Sequence, residues 1–505
     1  MSGLALGLLV ALAALFLLTS SARAAAGCPP IANKPGAIRH VDYNGVKHIT
    51  YCVPATVKPG QNIIRLNSTD LFPHQPGYIT RFDPELVYTN GKVPRVDVIH
   101  LHHAVWAVNG RPQFAVGEEK TIVQAPRGFG WRSLPSDRWH LNDMLHDLVG
   151  QASQVYIVWR IDFVPDTAPA AANMRTVHTQ WLDVSGPSPR VGVSSPFYPV
   201  FNALRRFGKD GKYTFPDEAK RAQRDLIGPS QKWTPDHPVT LMQTAGHLHP
   251  GGLSTRLRAR RGDRRNTLFT SRAHYYEPAG EVSWDVAMGA APRGWRVKLR
   301  PGDELSVHAT YDTGRADWYE VMGIMPVAVY NGTDVGGVGP FSKKIPQDGV
   351  LTHGHLAENN HHGGGPTDMP NPLDLPNGPF PTNPVDIQGY LYEQGDLHSS
   401  GTARRPPTVR AGQSVTFRNL DDAQSRTWHT ITGCKLPCNR DTGIAYPIAN
   451  GPRTFDSGQL GTDPPFGGPA VGRITWKTPE NLSPGTYSYF CRVHPFMRGS
   501  FRVKR

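Results

Sequence analysis

A chain of 505 residues with 52 glycines, 47 prolines and a formal charge of +13 is too long for one ordinary core and too rich in turn-forming residues for a helical bundle. Two to four β-rich domains are expected. The basic balance favours acidic or redox partners over nucleic acid, because no clustered recognition motif accompanies it.

In chain order, Leu4 to Leu18 is an apolar run too short to span a bilayer comfortably, and it ends in an A-x-A site at Ala22–Ala24. Residues 1–26 read as a signal peptide. No later run is long and apolar enough for membrane insertion, so a secreted or extracytoplasmic protein is expected. Cys28 follows directly and offers an alternative as a lipid anchor. Five cysteines suit an oxidising compartment: Cys28 with Cys52, Cys434 with Cys438 in CKLPC, and Cys491 left over. A redox-active CKLPC is the other option for that loop, although its spacing is not CxxC.

Residues 27–200 alternate strand-like runs with turns, among them VPRVDVIHLHHAVWAV and QVYIVWRIDFVP, and read as a first β-sandwich. Residues 201–230 are expected to be a helical connector, opened by Pro216 and Asp217 and closed by Gly228 and Pro229. Residues 231–362 read as a second β-sandwich. Within it LSTRLRARRGDRRNTLFTS predicts a hairpin turning at Gly262 and Asp263, with Arg256, Arg258 and Arg260 on one solvated face. Residues 363–385, rich in glycine and proline, predict a stiff linker. Residues 386–505 predict a last β-sandwich, in which Gly485 to Phe490 and Gly499 to Val503 are strands joined by a short loop stiffened by Pro495.

That loop carries Cys491, His494 and Met497. A thiolate, an imidazole and a thioether form a soft donor set, and soft donors suit copper. His429 in SRTWHTIT supplies the second nitrogen the set needs. Further histidines precede the linker: His100, His102 and His103; His247 and His249; His353 and His355; His361 and His362. On a strand, residues i and i+2 share a face, so a His-x-His pair aims two imidazoles at one point.

The C-terminal part resembles the cupredoxin family, and its ligand loop is similar to that of amicyanin-like members, with two residues between Cys and His and two between His and Met. The resemblance implies a Greek-key β-sandwich with a type 1 blue copper held by His429, Cys491 and His494, Met497 axial, acting in electron transfer. Multicopper oxidases also combine His-x-His pairs with a blue copper, but they carry histidines beside the cysteine, where this chain has Phe490 and Arg492.

Residues about 91–330 resemble the two-domain copper monooxygenases, the family of peptidylglycine α-hydroxylating monooxygenase and dopamine β-monooxygenase. The resemblance rests on His247-x-His249, the RARRGDRRN hairpin, RPGDELSVHATYDTG and WYEVMGIMPVAV in that order. It implies two jelly-roll β-sandwich domains and up to two type 2 coppers. One would be held by His247, His249 and Met322, with Met325 as a neighbouring choice, and would activate dioxygen. The other would be held by His102, His103 and His146. The family's lacing of disulfides is missing between Cys52 and Cys434. The expected whole is an all-β, secreted copper protein, its C-terminal domain supplying electrons to a monooxygenase-like front. The expected partners are a redox protein or a small organic substrate, with no nucleic acid. The alternative is an electron carrier or copper-handling protein with a scaffold-like front and no enzymatic activity.

Overall fold

The computed structural model describes residues 28, 36–41, 45–58, 64–94, 96, 98–147, 152–185, 200–204, 207–219, 231–276, 286–314, 318–351, 370–382, 384–425, 427, 429–437, 454–462, 473–492, 494 and 497–505. The expected signal peptide, His353, His355, His361, His362 and Pro495 lie outside these residues.

The architecture is all-β, built from stacked sheets. The largest sheet runs through both front sandwiches. Its order is Gly36–Val41, Lys47–Val57, Ser153–Pro165, Gly77–Tyr88, Phe129–Ser133, Arg175–Gln180, Val327–Tyr330, Val239–Thr244 and Val297–Leu299. The crossing point is the antiparallel pairing of Arg175–Gln180 with Val327–Tyr330. Facing it in the first sandwich is a four-stranded sheet of Ile64–Thr69, Trp139–Asp147, Ile99–Val108 and Arg111–Val116. In the second sandwich the facing sheet is centred on Glu304–Asp312, Gly252–Arg261 and Arg264–Tyr275. Between the layers lie two apolar cores, one built around Trp106, Phe82, Phe114 and Trp159, the other around Phe201, Phe215, Phe269 and Tyr311.

The helical connector is corrected where it is described. Phe201–Ala203 and Lys212–Phe215 are strands. Tyr213 and Phe215 are buried while Lys212 and Thr214 face outward, a period of two that suits a strand pairing with Glu304–Asp312. Residues 216–219 turn, and 220–230 lie outside the described residues. The arginine hairpin is as expected: Leu257 and Ala259 are buried, Arg261 pairs with Arg264 across Gly262, and Gly262 takes φ 57°, which glycine adopts at little cost. On the outer face Arg258 pairs with Asp217 and Arg260 with Glu304.

The C-terminal domain packs a sheet of Leu391–Tyr392, Val385–Gln388, Thr416–Asn419 and Thr475–Lys477 against one of Thr408–Arg410, Arg498–Lys504, Gly485–Phe490, Thr432–Lys435 and Phe455–Asp456. Its core includes Phe417, Tyr487, Tyr489 and Phe501, together with Cys491 and Met497. Phe490 leaves this core and enters that of the second sandwich, and the Arg492 guanidinium lies 6.0 Å from the ring of Trp318. The described part of the linker is fastened to the same domain. Arg502 donates to the carbonyls of Pro372 and Leu375 at 2.7 and 2.6 Å and to Asn377 Oδ1 at 2.8 Å.

Cys28 and Cys52 form a disulfide, so the Cys28 sulfur is not available for a lipid. Cys434 is disulfide-bonded, and its expected partner, Cys438, lies outside the described residues. Cys491 is a buried free thiol. Among the described residues no helix is long and apolar enough to cross a membrane.

Candidate metal centre

His429 and Cys491 come from separate elements that the domain's fold joins. The Gly485–Phe490 strand delivers Cys491 at its end, and the loop back to Arg498–Lys504 is closed by Cys491 N–H donating to Met497 O at 3.2 Å and Met497 N–H to His494 O at 2.9 Å. His429 is held by paired hydrogen bonds with Leu460. The Cys491 thiol sulfur lies 3.7 Å from Nδ1 of His429 and 3.7 Å from Nδ1 of His494, and the two nitrogens are 3.2 Å apart. Two nitrogens ~2.0–2.1 Å from a shared ion and a thiolate ~2.3 Å from it would be separated by ~3.3 Å and ~3.6 Å at near-tetrahedral angles. The triangle therefore has the dimensions a metal ion requires. Among the described residues this is the group of three His, Cys, Asp or Glu donors that closes within 4.8 Å. Met497 is fully buried in the same core.

Neighbouring groups fix this geometry. His429 Nε2 donates to Asp421 Oδ2 at 3.0 Å, which leaves Nδ1 facing the sulfur. Asp421 is itself held by the amides of Gly389 and Tyr390, at 2.6 and 3.0 Å. The Thr430 amide donates to the Cys491 sulfur at 3.3 Å. Tyr390 stands edge-on to both imidazoles. Burial pulls the His429 pKa down, but Asp421 and the Cys491 sulfur outweigh it and bring the group up to about 9. Burial pushes the Cys491 thiol up, and His429 with the Thr430 amide outweighs it, favouring the thiolate. His494 is held well below the usual histidine range by burial, then by His429 and His146.

The front half's histidines form one group across the two sandwiches. His102 and His103 are adjacent on the Ile99–Val108 strand, where the register with Trp139–Asp147 slips between Leu101 and His103. The irregularity turns both rings to one side, and their Nδ1 atoms approach to 3.2 Å, the spacing seen in the His429–His494 pair. His103 Nε2 donates to Asn142 Oδ1 at 2.9 Å. The ring of His102 lies 4.5 Å from that of His146 and 4.3 Å from that of His249, and His100 lies 5.0 Å from His146. Ligand sets that the sequence assigns to separate domains are thus in contact, through His102 and His249. His247 is 5.3 Å from His249 between ring centres. Met322 and His247 line one pocket together with His103, while Met325 belongs to the second sandwich's core.

Sequence reasoning missed the groups that hold these imidazoles. Glu119 accepts from His247 Nδ1 at 3.0 Å. Burial would raise the Glu119 carboxyl, but His247 outweighs it and holds it low. Burial would lower His247, and Glu119 outweighs that in turn. Glu119 reaches this position from the turn at Gly117–Lys120, whose Glu118 accepts from the Leu101 amide at 2.9 Å and pairs with Lys120. A Cβ on Gly117 would stand 2.4 Å from His247 Cε1, so this close approach needs glycine. Asp421 was findable as a carboxylate eight residues before His429. Glu119 and Asn142 left no such trace.

No family model and no curated sequence matches the chain. Solved structures similar to it include a Cu(I) form of a mutant amicyanin, at 20% identity over 28% of this chain and 95% of that one, with a TM-score of 0.14. The STIV MCP is similar at 9% identity over 59% and 97%, TM-score 0.21. Oxalate decarboxylase from Bacillus subtilis is similar at 9% identity over 57% and 68%, TM-score 0.10. Scores this low carry neither a shared fold nor a shared function from those proteins to this one. What stands without them is an all-β chain with a buried His–Cys–His group of metal-binding dimensions.

Proposed function

We propose that this chain is an extracytoplasmic copper protein whose C-terminal domain, a cupredoxin-like sandwich, performs single-electron transfer and supplies a copper monooxygenase-like front half. The observation that carries the reading is the Cys491, His429 and His494 triangle, with Met497 buried beside it. One thiolate, two imidazoles and a weak thioether constitute the type 1 copper donor set. Copper in such a site exchanges one electron at a time. The protein's contribution is to hold the donors still. Asp421 orients His429, the Thr430 amide steadies the sulfur, and complete burial excludes water.

In the front half, His102, His103 and His146 are assigned to one type 2 copper and His247, His249 and Met322 to a second. Contact between His102 and His249 supports a pair of sites working together. The packing of Phe490, next to Cys491, into the second sandwich's core and of Arg492 against Trp318 supports delivery of electrons from the C-terminal centre. The partners are then a redox protein that reduces the C-terminal domain and a small organic substrate at the front.

A second reading, an electron carrier or copper-handling protein with a structural front half, is favoured by one observation. Among the described residues only the C-terminal trio brings three donors within 4.8 Å. Elemental analysis with electron spin resonance separates the two. The enzyme reading predicts two or three coppers per chain with a type 2 signal, and His247→Ala removing part of that signal while the visible colour stays. One copper per chain, with no type 2 signal, leaves the carrier.

A further inference from the structure

Beside the front histidines lies a small pocket, partly open to solvent, with a cavity volume of about 60 Å³. Val105, Phe114, Trp131, Trp181 and Ile324 give it apolar walls, and Gln243 and His247 stand among its polar residues. Most polar side chains lining it are already committed. Thr179 takes hydrogen bonds from Trp131 and Gln113 and gives one to the Gln113 carbonyl. Thr244 donates to the Pro326 carbonyl, His103 is bound to Asn142, and Glu119 is closed on His247 and the Gly117 amide. Two buried atoms among the described residues lack a hydrogen-bond partner here: Gln243 Oε1 and His247 Nε2. A buried polar atom without a partner carries a desolvation cost that a bound ligand would remove.

We infer that this pocket binds a small neutral molecule, mostly hydrocarbon, whose single hydroxyl bonds to Gln243. This deepens the proposed function, on which it rests for the assignment of His247 Nε2 to a metal. The neutrality follows from the charges on the walls. Among the described residues that line it, the one carboxylate, Glu119, is paired with His247, and there is no lysine or arginine. An ionic ligand would lose its hydration and find no opposite charge. An apolar ligand gains in proportion to the surface it buries. A hydroxyl suits the Gln243 amide because it donates and accepts.

The test uses the full-length, copper-loaded protein and ligand-detected NMR titrations with benzyl alcohol, toluene, benzoate and benzylamine. Benzyl alcohol is expected to saturate, with toluene weaker and the two ions at least ~10-fold weaker than the alcohol, a discrimination of ~1.4 kcal/mol. Gln243→Leu should reduce benzyl alcohol to the level of toluene while toluene binding persists, which shows the pocket intact. Ala115→Phe, filling the pocket from one wall, should abolish both while the visible band of the C-terminal centre is kept, showing a folded chain. Absence of saturable binding overturns the inference. So does benzoate or benzylamine matching benzyl alcohol, an alcohol preference untouched by Gln243→Leu, or binding unchanged by Ala115→Phe. Copper counted on the same samples keeps the two ideas apart. Benzyl alcohol bound without front-half copper retains the pocket and removes the oxygenase, and front-half copper without binding does the reverse.

Discussion

His429, Cys491 and His494 were legible in the sequence because their donor chemistry is rare and two of them share a loop. The groups that position them were not. Carboxylates are common, and the pairing of Asp421 with His429 or of Glu119 with His247 is decided by which strands meet. Asp421→Asn keeps the shape but removes the charge on His429 Nε2. Loss of a partner of this kind typically weakens metal affinity ~10–100-fold, and competition with a chelator should show that loss with the visible band still present. Asp183 provides a pH test in the second sandwich, with His247 among the charges that act on it. Burial, only partly offset by the Ser185 amide and hydroxyl, raises its carboxyl to about 7. In the unfolded chain the group titrates near ~3.9. Between those values the native state holds the extra proton, so this group's contribution to stability is full below the lower value and is lost as pH rises to about 7. The slope from Asp183 is at most ~1.4 kcal/mol per pH unit. Denaturant unfolding of Asp183→Asn and the parent at ~pH 5 and ~pH 8 should show the variant losing less stability across that interval. Equal losses would contradict the assignment.

The strands were readable where apolar and polar residues alternate, as at Leu257 and Ala259 between arginines. The segment at 201–219 departs from the expected helix because proline and acidic residues that open helices also open turns. The alternation at Lys212–Phe215 was the better guide there. Gly485–Phe490 shows what alternation cannot reveal. Thr486 to Phe490 are all buried, because Tyr487 and Tyr489 fill one domain while Phe490 enters another. Phe490→Ala is expected to cost ~3–5 kcal/mol, seen as lower stability of the second sandwich in denaturant unfolding. A loss below ~0.5 kcal/mol would show that the contact contributes little.

The molecule's all-β character followed from its composition, but the joining of its parts did not. One sheet runs through both front sandwiches, so the expected boundary near residue 200 falls within shared structure. The linker read as a spacer is bound in its described part by Arg502, and Phe490 and Arg492 hold the C-terminal domain against the second sandwich. The C-terminal domain is therefore docked on the second sandwich. Docking removes the search that a free tether would require.

Single-electron transfer by this protein requires the sulfur of Cys491 as a metal ligand. The visible absorption spectrum of the copper-loaded, oxidised protein, recorded beside that of Cys491→Ser, reads this directly. An intense sulfur-to-copper band in the parent that vanishes in the variant is the predicted result. A colourless parent, or a variant that keeps the band, would contradict it.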